Sequence, residues 1–129
     1  MDEPINSLCM FNTKNIEFFG NVGDSFGAYA KGGFLLLHGN ADSHTGDGND
    51  GGTIVVDGNC GRWTGEDMKS GEIHVTKDTE GITGNRLHGG TIRVNGDLAI
   101  DRDFLYGGNI FKGDTQVVKD GRRIYSNDK

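Results

Sequence analysis

Gly52-Thr53-Ile54-Val55-Val56-Asp57-Gly58-Asn59 and, nineteen residues later, Gly71-Glu72-Ile73-His74-Val75-Thr76-Lys77-Asp78 carry one pattern. The same pattern stands upstream as Gly33-Phe34-Leu35-Leu36-Leu37-His38-Gly39-Asn40 and downstream as Gly90-Thr91-Ile92-Arg93-Val94-Asn95-Gly96-Asp97, so the leading glycines are evenly spaced. A degenerate copy starts at Lys14 with Ile16, Phe18, Gly20 and Asn21, and a late copy starts one residue early at Gly108 with Ile110 and Lys112. A second glycine recurs at Gly27, Gly46, Gly65 and Gly84. The chain therefore holds about six copies, and the register falters where Arg102-Asp103-Phe104-Leu105-Tyr106 replaces the usual turn.

Within each copy the second and fourth residues after the leading glycine are apolar: Leu35/Leu37, Ile54/Val56, Ile73/Val75 and Ile92/Val94. That is the period of a half-buried strand. One short strand cannot bury its apolar side alone, but copies of equal length stack so that equivalent side chains pile into a shared interior. Such crossovers between parallel strands are right-handed in L-chains. The fold expected is all-β, a single-stranded right-handed parallel β-helix of about six coils. One domain spans 1–129, with coils over 14–113 and capping or docking tails at 1–13 and 114–129. Glycine at this density opposes helix, at roughly 1 kcal/mol per helical position relative to alanine.

The pairs Gly39-Asn40 and Gly58-Asn59, with Gly96, read as corners whose residues tolerate left-handed backbone, and Gly46, Gly65 and Gly84 as further turn positions. The asparagine column offers amides that bond along the stack. The columns Phe26/Thr45/Thr64/Thr83 and Ser25/His44/Trp63/Ile82 are expected to line the other faces.

The stretch from Gly58-Asn59-Cys60-Gly61-Arg62-Trp63-Thr64-Gly65 to Met68-Lys69-Ser70-Gly71-Glu72-Ile73-His74-Val75 resembles the GXGXG family. That family includes the C-terminal β-helix domain of the glutamate synthase large subunit and the β-helix subunit of formylmethanofuran dehydrogenase. The resemblance covers roughly residues 14–113. It implies a module that holds catalytic domains in place and is not itself the seat of flavin, iron–sulfur, molybdenum or tungsten chemistry. The expected partners are other subunits of an oxidoreductase complex, or further copies of the chain.

Composition limits the alternatives. Twenty-three glycines among 129 residues raise the question of disorder, but they are regularly spaced between β-branched runs. A net charge of −6 with no basic block lacks the footprint of nucleic-acid binding. The acidic start Met1-Asp2-Glu3-Pro4 is unlike a signal peptide, and no run approaches membrane-spanning length. Cys9 and Cys60 show no paired spacing and read as free thiols, so the expected location is the cytoplasm.

No catalytic, cofactor-binding or metal residues are assigned. Gly46-Asp47-Gly48-Asn49-Asp50-Gly51-Gly52 precedes a strand and so cannot be a dinucleotide loop. Its twelfth place from Asp47 is Gly58, not the glutamate of an EF-hand. A turn is expected there, with weak cation binding as the alternative. His38, His44, His74 and His88 occupy four different columns, so stacking does not gather them. The one trio worth testing for a ligand or metal is His44, Trp63 and Cys60. Asp97, Asp101 and Asp103 form an acidic turn without the opposed placement that acid–base catalysis requires. Cys9 lacks a neighbouring base. The candidate partner surface is the outward column Leu36, Val55, His74, Arg93 and Phe111, joined by Phe34, because apolar residues facing water mark either a docking face or one covered by the chain's own tails.

Overall fold

A computed structural model describes residues 5–101 and 104–124. Among these residues the chain is all-β and forms one eight-stranded sheet wound as a parallel β-solenoid. The strands are β1 (Ile16–Phe19), β2 (Phe34–His38), β3 (Asp50–Asp57), β4 (Ser70–Val75), β5 (Thr91–Val94), β6 (Asn109–Lys112), β7 (Thr115–Lys119) and β8 (Arg122–Arg123). β1 to β6 pair in parallel, each with the next. The column Ile16, Leu35, Ile54, Ile73, Ile92, Ile110 is in register throughout. The last step is one residue short, as the early glycine at Gly108 foretells.

Six strands on one face mean five circuits, one fewer than the count of copies. The copy at Gly108 does not complete a coil, because the chain turns back at Gly113, β7 runs antiparallel beside β6, and β8 antiparallel beside β7.

The interior is the stack of equivalent side chains that alternation requires. Leu35, Leu37, Ile54, Val56, Ile73, Val75, Ile92 and Val94 are all buried, with Phe26, Met68 and Leu87 behind them. Thr45, Thr64 and Thr83 line the opposite wall of this interior. Burying a hydroxyl is costly unless it is hydrogen-bonded. Thr45 and Thr64 each donate to a carbonyl three residues back, and Thr79 and Thr83 bond to each other at 2.7 Å.

The expectation of left-handed backbone at the corners is corrected. Gly58, Gly96, Asn40 and Asn59 have no positive φ, and Gly39 lies close to extended at 158°. Glycine is needed there for closeness instead: a Cβ on Gly39 or Gly58 would run into the carbonyl of the glycine one coil below. The asparagine amides do bond along the stack, to the backbone of the next coil and not to one another. The side-chain carbonyls of Asn21, Asn40 and Asn59 accept from the backbone N–H of Asn40, Asn59 and Asp78 at 2.8–3.0 Å, and Asp78 passes the ladder on to Asp97. Each corner thus satisfies the backbone of the next coil. Left-handed backbone is instead concentrated on the far face, where Gly27, Gly46, Gly65 and Gly84 have φ between 67° and 73°.

The N-terminal segment is more than a tail. Ser7, Cys9 and Phe11 have positive φ in the same alternation as Ser25, Gly27 and Tyr29, eighteen residues on. Backbone bonds from Ser7 to Asp24, Gly27 to Leu8, Phe11 to Ala28 and Lys31 to Asn12 lay it against the first coil. Residues 5–12 are therefore a partial coil that covers the turn face of the first circuit, while β1 keeps β2 as its only strand partner among the described residues.

Candidate functional site

The outward column assembles as its spacing requires: Glu17, Leu36, Val55, His74, Arg93 and Phe111 are consecutive register partners. Members Leu36 to Phe111 are half-buried, while Phe34, opposite Thr53 in a neighbouring column, is exposed. The upper part of the column is partly satisfied internally. The Arg93 guanidinium lies 4.3 Å over the Phe111 ring and donates to the Gly113 carbonyl, so its cationic plane covers the apolar face beneath it. The lower part is more open. Phe19 stacks on His38 at 4.6 Å, and His38 bonds to Glu17 at 2.5 Å. Of the described tail residues, Asp114 reaches Arg93 of this column at 3.8 Å, while 5–12 bonds to the first turn and β7 extends the sheet from its edge.

The two ends are finished differently. At the C-terminal end Val117 and Val118 are buried and β7–β8 cover the side of β6. At the N-terminal end β1 pairs only with β2 among the described residues, and Ile5, Phe11 and Phe19 are 65%, 60% and 78% exposed. A groove of about 610 Å³ beside the last coil is lined by Leu98, Ala99, Ile100, Val117, Lys112 and Arg123, among others.

The trio His44, Trp63 and Cys60 does not form a site. Cys60 belongs to the core, where burial pushes its thiol up to about 12 despite bonds to Thr45 and Thr64. A thiol so protonated is neither nucleophile nor ready ligand. Cys9 is likewise raised by burial.

The neighbours of His44 are acids. Asp47 and Glu66 stand in one column, nineteen apart, and His44 lies three residues before Asp47 in the same turn. His44 Nδ1 is 3.2 Å from Glu66 Oε1 and 4.0 Å from Asp47 Oδ2. Glu66 Oε2 accepts from Asn85 Nδ2 at 3.3 Å and faces Arg86 at 3.7 Å, while Arg86 donates to Asp67 at 2.7 Å. His88 closes the row, 4.0 Å from Asp67 and stacked on Tyr106. Burial, reinforced by the Glu66 carboxylate, holds Asp47 above the usual range of an aspartate. The sequence does carry this signal, as acids at the repeat spacing beside a histidine. Comparing histidines only with histidines overlooks it.

His38 and His74 remain apart, the latter 3.4 Å from Asn95. In the acidic turn Asp97 belongs to the corner ladder, and Asp103 lies outside the described residues. Asn49, in the glycine-rich loop, is fully buried and bonds Gly52 through both its amide atoms, so that loop is a pinned turn leading into β3. No described helix is long and apolar enough to cross a membrane. No protein family, curated protein or solved structure matches the chain.

Proposed function

We propose that this chain is a non-catalytic structural β-helix subunit or domain of an oxidoreductase complex of the glutamate synthase or formylmethanofuran dehydrogenase kind. The observation that carries this reading is the unfinished N-terminal end. A strand edge without a partner among the described residues, at the same end of the solenoid as exposed Ile5, Phe11 and Phe19, is a surface that soluble proteins ordinarily cover, and a larger assembly covers it by docking. The stretch Gly58–Val75, with its likeness to the GXGXG family, supplies the kind of assembly. Two protonated, partly or wholly buried thiols argue against a small enzyme built on His44 and Cys60.

The test is affinity purification of the tagged chain from its native cells under non-denaturing conditions. The reading expects stoichiometric recovery of a second polypeptide that carries flavin or iron–sulfur absorbance, and its loss with Phe19→Asp. Recovery of the chain alone, at every concentration, overturns it. Self-association that Phe19→Asp abolishes, with no second polypeptide, transfers the surface to an independent homo-oligomeric binding module.

A further inference from the structure

On the turn face, a nitrogen and two carboxylates converge without a hydrogen bond from the nitrogen to either carboxylate. The ligand atoms of His44, Asp47 and Glu66 all lie within 4.8 Å of one another, and all three residues are half-buried. His44 Nδ1 is occluded from solvent and makes no hydrogen bond. It stands 3.2 Å from Glu66 Oε1, yet the angles are wrong for a bond. A buried polar atom without a partner requires an explanation. With the ring neutral and its proton on Nε2, Nδ1 presents a lone pair to two anions, an arrangement that a bound metal cation relieves in place of a proton on Nδ1.

We propose that His44 Nδ1, Asp47 and Glu66 bind one zinc-class divalent cation across the second and third coils. Imidazole with carboxylate suits first-row divalent ions such as zinc. Donors about 2.1 Å from a tetrahedral zinc stand about 3.4 Å apart, close to the His44–Glu66 separation, and leave a fourth position for water. Asp47, the farther donor, closes by side-chain rotation. The surroundings have the supporting shell such a site needs, with Asn85 and Arg86 engaging Glu66 Oε2 and turning Oε1 toward His44. The carboxylates of Asp47, Glu66 and Asp67 against the one guanidinium of Arg86 leave the patch with two negative charges, matched to a dication.

The experiment is titration of the full chain with zinc chloride by calorimetry, and with cobalt chloride by visible absorption. The expected result is saturable uptake of one ion per chain, cobalt ligand-field bands, and a rise in Tm. His44→Gly and Glu66→Gln should each weaken binding by about tenfold or more. In chelator the His44→Gly variant should melt no lower than the parent, because φ of 64° at this position suits glycine. No saturable one-to-one uptake overturns the proposal. So does uptake of equal strength in either folded variant, which would assign the ion to Cys9 or to the other histidines.

Discussion

Asp47 shows how a repeat can place charge against its own stability. Partial burial raises the pKa of this carboxyl, and the column rule that stacks Ile73 on Ile54 also stacks Glu66 over Asp47 and adds repulsion in the same direction. The sign follows from linkage. A folded pKa above the unfolded one means this residue's contribution is most favourable below the unfolded value, near 4, and is lost as pH rises through the folded value. Asp47→Asn removes that loss. In chelator, the variant should match the parent at acidic pH and gain on it toward neutrality, by about 0.5 kcal/mol or less because the side chain is only partly buried. Denaturant melts at several pH values check this, and a variant that loses ground as pH rises would mean that His44 or Arg86 outweighs the repulsion.

The turn face is decided by a few backbone positions. Gly65 has φ of 73°, and a Cβ there would meet Ile92 Cδ1, whereas Gly113 has φ of 58° with open space around it. Both substitutions to alanine carry the cost of left-handed backbone; only Gly65→Ala adds a clash with the core. We expect Gly65→Ala to cost about 1–3 kcal/mol and Gly113→Ala clearly less, by urea denaturation of each. Equal costs would show that Ile92 yields freely. The same contrast explains what the sequence discloses. β2 to β5 are legible because glycine spacing and alternation agree, and Gly46, Gly65 and Gly84 announce their left-handed turns. The partial coil at 5–12 is hidden, because Ser7, Cys9 and Phe11 hold left-handed positions without glycine, at a spacing of eighteen. The corners mislead for the opposite reason, since their glycines answer to a neighbour's carbonyl and not to φ. The cation cluster is half legible: Asp47 and Glu66 share a column, but the outcome depends on which atom of His44 the turn buries.

A solenoid distributes its stability along one axis, each coil held by its neighbours, so its ends decide whether it stays single. The long-range spacing of nineteen fixes the middle of the molecule without specifying either end, because an end is where repetition stops. At one end the chain supplies its own closure. Val118 pairs opposite Ile110 and is buried, and Gln116 bonds both Asn109 and the Val118 carbonyl, fixing the hairpin to the last coil. Ending the chain after Gly113 strips that closure. Ile110 then loses its cover, and β6 presents a free row of backbone donors and acceptors beside it, the template on which sheets associate edge to edge. The shortened chain should keep a β-type circular dichroism spectrum, since β1 to β5 retain all their neighbours, yet self-associate with rising concentration where the full chain does not gain mass to the same degree. Light scattering coupled to size-exclusion, run on both chains over the same concentration range, separates the outcomes. If the two chains behave alike, β7 and β8 are not what closes this end, and the boundary of the folded unit moves back to β6.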